Sequence, residues 1–344
     1  MKTLITGAGG FLGGVLVERL LRQGGDDLRV LLRPGSSRGR IEALRREHPQ
    51  AEIEVVTGTL TSRDDCARAL DGVGLVYHLA AGTSGAAADL FLHTVVGSRN
   101  LLDAALALRP VPKIVLVSSF AVYGIAGLGR GALVDEEVPV EPRPLERDLY
   151  SQSKLRQEKL FWDYQRERGF PLVVVRPGVI YGPGGTAISP RVGLKLFGAF
   201  LHLGGGNRLP LSYVENCADA ILVAGRHPDA VGRAFNLVDD DLPTCKAYLD
   251  RYRREVAPLR AVRLPYFATL ALSVAVERYH RWSQGQLPAV FTPYKTRTLW
   301  GGNRFANERI KSIGWRQGVP TDEGIRRTFA ALGETGRASP PPSA

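Results

Sequence analysis

Thr3-Leu4-Ile5-Thr6-Gly7-Ala8-Gly9-Gly10-Phe11-Leu12-Gly13 is the stretch on which the fold turns. An apolar strand-like run enters glycines at 7, 10 and 13, and a helical pattern follows over 11–23. In such a unit Gly7 permits the tight turn. Gly10 lets the backbone approach a pyrophosphate, and Gly13 lets the helix pack against the sheet. The phosphates would face the positive end of the helix dipole. A glycine triplet alone is a weak sign; its place directly between strand and helix makes it a nucleotide-binding signal.

Working outward, the alternation continues. Runs rich in Val, Ile and Leu at 29–32, 53–57, 75–79, 113–118 and 172–176 are separated by helical patterns at 38–47, 63–70, 90–108 and 149–168. Most of these runs lack strict apolar/polar alternation, as strands covered on both faces do. Strand and helix in turn predict an α/β fold on a doubly wound parallel sheet. After Arg176 the texture changes. Tyr181-Gly182-Pro183-Gly184-Gly185 and Gly204-Gly205-Gly206-Asn207 are loop clusters, and 243–329 reads as helices without further strong parallel strands. Residues 333–344, rich in Pro, Ser and Ala toward the end, are expected to form a disordered tail.

Composition narrows the function. The chain has 344 residues, 44% hydrophobic and 23% charged, which suits a globular protein with a sizeable core. Its net charge of +11 comes from 37 Arg and 8 Lys spread along the chain. No run of five like charges and no clustered aromatics appear, so nucleic acid is not an expected partner. Cys66, Cys217 and Cys245 form no CxxC pair, and no histidine cluster has ligand spacing, so neither a disulfide framework nor a metal site is expected. Met1-Lys2 leads straight into a strand without a secretory h-region, and the longest apolar run, 266–276, is too short to span a bilayer. A cytoplasmic protein without stable membrane insertion is the expectation.

Two further places carry chemistry. The second strand ends at Arg33, followed by Pro34-Gly35-Ser36-Ser37-Arg38, where NAD binding would call for an acidic residue on the ribose hydroxyls. Arg33 and Arg38 instead suit a 2'-phosphate and favour NADP over NAD, although both also read as exposed loop residues. Tyr150-Ser151-Gln152-Ser153-Lys154 opens a helix, and positions i and i+4 share a face. A neighbouring ammonium would lower a phenol's pKa and make Tyr150 a usable proton donor or acceptor. Ser119, at the carboxyl end of the fifth strand, lies where doubly wound sheets bind ligands and could hydrogen-bond the reacting oxygen.

Taken together, these pieces resemble the extended short-chain dehydrogenase/reductase family, the NAD(P)-dependent epimerase/dehydratase group. The matching residues are Thr6-Gly7-x-x-Gly10-x-x-Gly13, Tyr77-His78-Leu79-Ala80-Ala81, Ser118-Ser119-x-x-Val122-Tyr123-Gly124, Tyr150-x-x-x-Lys154 and Arg176-Pro177-Gly178-Val179-Ile180-Tyr181-Gly182-Pro183. Val214-Glu215-Asn216-Cys217-Ala218-Asp219-Ala220 resembles the family's returning helix. The resemblance implies a Rossmann-type cofactor domain over 1–181 and 213–239, and a smaller, mainly helical substrate domain over 182–212 and 240–332. It implies Ser119, Tyr150 and Lys154 as the catalytic group. Gly7, Gly10, Phe11, Leu12 and Gly13 would line the pyrophosphate, and Thr59 and Leu60 would lie by the adenine. Ala80 and Ala81 would run along the cofactor, Pro177 and Val179 would approach the nicotinamide, and Thr83, Ser119 and Tyr181 would meet substrate. Two positions depart from the family: Thr59 stands where Asp is usual, and Thr94 where Asn is usual, so a hydrogen bond near Lys154 is expected to differ.

Among branches, the C-terminal part looks most like the 3-beta-hydroxysteroid dehydrogenases. The residues are Pro265-Tyr266-Phe267 leading an apolar helix, Leu287-Pro288, Thr292-Pro293-Tyr294 and Lys311-Ser312-Ile313-Gly314-Trp315. The apolar helix reads either as a cover over a cleft for a lipophilic substrate or as core packing. The expected activity is hydride transfer between nicotinamide and a hydrophobic secondary alcohol or ketone. The alternative is an NAD-dependent sugar-nucleotide epimerase or dehydratase. Its diphosphate would need a cation near Leu209, where the run Leu209-Pro210-Leu211 is apolar and Arg208 is adjacent. By analogy, a homodimer through 90–108 and 149–168 is expected.

Overall fold

The strand that enters the glycine loop stands in the middle of its sheet. The computed structural model describes residues 1–25, 27–83, 85–186, 188–196, 199–283 and 292–338. In chain order, the first half comprises β1 Lys2–Thr6, α1 Phe11–Arg22, β2 Asp27–Leu32, α2 Gly39–Glu47, β3 Glu52–Thr57, α3 Arg63–Leu70, β4 Val73–His78, α4 Ala87–Phe91, α5 Gly97–Leu106, β5 Lys113–Val117, β6 Leu133–Val134, α6 Leu149–Arg168, β7 Leu172–Pro177 and β8 Val179–Tyr181. Then come β9 Gly193–Leu196, β10 Ala199–His202, β11 Leu211–Tyr213, α7 Val214–Arg226, β12 Ala234–Leu237, α8 Cys245–Glu255, β13 Ala261–Arg263, α9 Tyr266–Trp282, α10 Pro293–Trp300, β14 Arg304–Phe305, α11 Glu308–Ser312 and α12 Thr321–Ala338.

Seven parallel strands stand in the order β12-β7-β5-β4-β1-β2-β3. The chain winds outward from β1 through β2 and β3, then reverses to β4, so a crevice opens at the carboxyl ends of β1 and β4. Both faces are covered, which is why the strands read as apolar runs. On one face Leu16, Leu20, Ile221 and Leu222 of α1 and α7 meet Ile5, Val30, Val115 and Val173. On the other, Cys66, Leu101 and Phe161 of α3, α5 and α6 meet Leu4, Val76, Leu116 and Val174. Each large side chain removed from water contributes about 1.5–3 kcal/mol.

Helix boundaries follow local chemistry. Asp148 caps α6 by accepting from the Ser151 N–H at 3.0 Å, and Gly169 ends it at φ 68°, a conformation that suits glycine. The helix expected over 90–108 is instead interrupted. A π turn at Leu92–Val96 separates α4 from α5. It turns Thr94 and Ser98 inward, and Ser98 Oγ donates to the Thr94 carbonyl at 2.5 Å.

Beyond β8 a second core forms around Phe120, Tyr181, Tyr213, Tyr248 and Phe329. Two strands appear where none were expected: β13 pairs with β10, and β14 with β6. At three and two residues they are too short to carry a readable period. The end of the chain also differs from expectation. α12 runs to Ala338, because Ile325 and Phe329 are buried and Phe329 meets Tyr248 and Tyr252 with ring centroids 5.3 and 5.6 Å apart. Residues 339–344 of the expected tail, and the Leu287-Pro288 motif, lie outside the described residues.

The apolar run 266–276 is not core. Helix α9 packs beside α10 and buries Thr269 and Ser273, whose hydroxyls bond its own Pro265 and Leu270 carbonyls at 3.0 and 2.7 Å. Phe267 is 74% exposed and Trp282 78%. No helix among the described residues is long and apolar enough to cross a membrane.

Candidate active site

The glycine loop is built as a cradle. Gly7 has φ 75°, and a Cβ there would come within 2.9 Å of the Ala80 backbone nitrogen across the crevice. A Cβ at Gly13 would collide with the Gly7 carbonyl, while Gly10 donates to that same carbonyl at 3.0 Å. No side chain caps α1, so its first-turn N–H groups face the crevice without a side-chain partner. These are the features a dinucleotide phosphate requires. Leu12 is buried, and Phe11 places its ring against Gly182 and Gly185.

At the end of β2, Arg33 is exposed and no carboxylate is paired with it among the described residues. Arg38 donates to Thr57 Oγ1 at 2.7 Å. Beyond β3, Thr59 Oγ1 is bonded to Thr61 Oγ1 at 2.9 Å, and its N–H donates to Asp65 at 2.8 Å. Leu60 is buried and its carbonyl accepts from Asn100 at 2.9 Å. Thr59 and Leu60 therefore present backbone and apolar surface rather than a free polar group. Ala80 and Ala81 follow β4 half-buried, and Thr83 beyond them is exposed. Pro177 is buried at the end of β7, with Val179 half-buried next to it.

Ser119 follows β5, starts a short 3-10 turn over Phe120–Val122, and accepts from the Ala121 N–H at 3.1 Å. Tyr150 faces it from the first turn of α6, and the Ser119 hydroxyl favours the ionised phenol. The net shift of Tyr150 is nevertheless upward, because burial dominates and Asp148 repels a phenolate. The expected lowering by Lys154 is therefore absent. Lys154 is turned inward instead, donating to the Val117 carbonyl at 2.8 Å and to Gln157 Oε1 at 2.6 Å. Burial pushes its own pKa down to about 8, against the pull of Glu158.

Tyr181 does not face the crevice. It is 1% exposed, and its hydroxyl donates to Asp239 at 2.9 Å with the Thr321 carbonyl 3.2 Å away. It forms a strut joining β8 to the start of α12. Asp239 beneath it is pushed up to about 6 by burial.

Two groups of buried polar residues were given no role in the sequence reading. Behind α6, Glu158 pairs with Arg176 and accepts from Ser118 at 2.5 Å. Arg176 donates to Tyr123 at 2.9 Å, and Tyr123 donates to Asn236 at 2.6 Å. This chain ties α6 to β7 and β12. Beside it, Gln157 and Ser98 surround His78, whose pKa burial and the Lys154 charge hold down to about 3. The available signal was spacing: Gln157 and Glu158 lie three and four residues beyond Lys154, on its face of the helix.

Comparison with known proteins fits this geometry. Residues 3–237 match the NAD dependent epimerase/dehydratase family. A 2-alkyl-3-oxoalkanoate reductase of Shewanella oneidensis is 27% identical over 348 residues, covering 95% of this chain and 85% of that protein. A 4-hydroxy-2-methyl-3-oxo-4-farnesyl-3,4-dihydroquinoline-1-oxide ketoreductase of Stigmatella aurantiaca is 32% identical, covering 70% of this chain and 68% of the relative. The crystal structure of gox2253 superposes with a TM-score of 0.78 at 25% identity, covering 97% of this chain and 98% of that one.

Proposed function

The chain belongs to the NAD dependent epimerase/dehydratase family, and we propose that within it this protein reduces hydrophobic 3-oxo compounds or oxidises the matching secondary alcohols. It is an NAD(P)-dependent oxidoreductase of the extended short-chain dehydrogenase/reductase type. The observation that carries the substrate reading is the Ser119–Tyr150 pair at the crevice of a chain that has, among its relatives, two named as reductases of 3-oxo compounds and others named as hydroxysteroid dehydrogenases.

The nicotinamide cofactor supplies or accepts the hydride when bound. The chain's own part is positioning and proton transfer. Gly7, Gly10 and Gly13, with the open first turn of α1, hold the pyrophosphate. Ser119 donates to the reacting oxygen, and Tyr150 passes the proton at its phenolic oxygen. Lys154 retains one N–H beyond its two bonds for a ribose hydroxyl, and its charge favours Tyr150 phenolate once that face is filled. Unpaired Arg33, beside Arg38, supports NADP over NAD. Leu92 and Val96 of the π turn and Leu149 of α6 are exposed within the two segments 90–108 and 149–168, which supports a homodimer through them.

The sugar-nucleotide alternative has less support. Leu209 and Leu211 are buried, and Arg208 Nη1 donates to the Leu242 carbonyl. The test is NADPH and NADH consumption against long-chain 3-oxo acids, cyclic ketones and nucleotide sugars. Oxidation of NADPH by a ketone, faster than of NADH, supports the reading. Conversion of a nucleotide sugar with no net change in cofactor overturns it.

A further inference from the structure

Lys154 is 3% exposed, in surroundings that disfavour an ammonium. The charged groups around it are few. Glu158 on its own helix is paired with Arg176 of β7 and bonded by Ser118 beyond β5. His78 of β4 is held neutral, and Tyr150 lies one turn back on α6. What faces the ammonium directly is two neutral acceptors, the Val117 carbonyl and Gln157 Oε1.

Gln157 is 0% exposed, and its neighbours decide which way its amide points. The Ala80 N–H donates to Thr6 Oγ1 at 3.3 Å, so the Thr6 hydroxyl is free to donate to His78 Nδ1, 2.8 Å away. His78 Nε2 lies 2.9 Å from Ser98 Oγ and 3.3 Å from Gln157 Nε2. Ser98 passes its own proton to the Thr94 carbonyl. Its remaining lone pair is filled by Gln157 Nε2 at 2.8 Å. With Nε2 on Ser98, which has given its own proton to Thr94, Oε1 is left facing Lys154. The reversed amide would set an NH2 group against an ammonium.

We infer that Gln157 is the positioning residue of this site: it fixes where the Lys154 ammonium stands and keeps it charged. The inference deepens the oxidoreductase reading and rests on it for the ribose contact of Lys154. Gln157 also occupies the region beside Thr94, with its Nε2 3.4 Å from the Thr94 carbonyl, where a hydrogen bond near Lys154 was expected to differ. One end of the side chain belongs to the crevice wall formed by β1, β4 and α5; the other belongs to Lys154. Removing it leaves the ammonium one protein acceptor.

Two readouts that need no turnover test this: the titration of Lys154 in the cofactor-free protein, followed by carbon NMR of ε-labelled lysine, and the pH dependence of NADPH binding. Gln157→Met keeps the volume and removes the acceptor. It is expected to move the Lys154 titration down by about one pH unit, and the pH at which NADPH binding weakens by the same amount. Gln157→Glu places a carboxylate there and is expected to move both upward. A folded Gln157→Met protein with both profiles unchanged, whatever its melting temperature, makes Gln157 mere packing and overturns the inference. If Gln157→Met does not fold, Gln157→Glu decides by the presence or absence of the upward shift. A chain that shows these shifts yet reduces no ketone overturns the substrate reading and leaves Gln157 as the holder of Lys154.

Discussion

Helices α6 and α9 are both long, and they meet water in opposite ways. α6 buries Lys154, Gln157 and Glu158 and finds a partner for each. α9 buries two small polar residues, satisfied by its own carbonyls, and leaves Phe267, Val274, Tyr279 and Trp282 exposed. A buried polar network that is fully paired admits one arrangement, and losing any member orphans another. An apolar surface in water specifies no arrangement. The same contrast runs through the molecule. The wall behind Ser119 and Tyr150 is paired throughout, whereas around α10 the buried Trp300 Nε1 and Asn303 Nδ2 have no partner among the described residues.

Substitutions on α6 and α9 should therefore differ sharply. The largest effect belongs to Tyr150→Phe. It should reduce turnover by about 100- to 10,000-fold while NADPH binding persists, measured by steady-state kinetics and cofactor titration. Undiminished turnover would remove Tyr150 from proton transfer. Next comes Glu158→Ala, which leaves the Arg176 guanidinium buried without its carboxylate. About 3–5 kcal/mol of stability should be lost in urea unfolding. A loss below 1 kcal/mol would show that water reaches this pair and that the wall is looser than its hydrogen bonds indicate.

Lys154→Met sharpens the contrast through pH. The folded pKa of about 8 lies below the unfolded lysine value, so between pH 8 and about 10.5 the unfolded chain binds more protons than the folded one. The parent protein thus gains stability over that window as pH rises, and the variant lacks this gain. The stability difference should move in the parent's favour above pH 8 and stay flat below it, read from unfolding curves at stepped pH. The smallest effect belongs to α9. Phe267→Ser should change stability by no more than about 0.5 kcal/mol, because the ring is already in water. A loss of several kcal/mol would mean that something covers this face in solution.

How much of this was legible beforehand depended on range. The expected α6, 149–168, matches the helix end for end, because its cap Asp148 and stop Gly169 are local. The strands of the sheet were placed within about two residues, because a fully covered strand shows itself as an apolar run. The break at Leu92–Val96 was not legible, since a π turn has no pattern of its own and is held by contacts to the loop after β4 and to α6. The partners of Tyr181 were not legible for a related reason. Its motif places it at the mouth of the crevice, but its hydroxyl is claimed by Asp239 and Thr321, which lie 58 and 140 residues away.

By itself the sequence determined the doubly wound sheet, the glycine cradle and the presence of Ser119, Tyr150 and Lys154, because each rests on periodicity or spacing within a few residues. Only the tertiary structure decided that Lys154 points inward, that Gln157 holds it, that Glu158 and Arg176 brace the helix, and that α9 turns its apolar face outward. Those outcomes depend on which groups from distant segments share one low-dielectric volume. There each donor must find an acceptor, and no local pattern records that accounting.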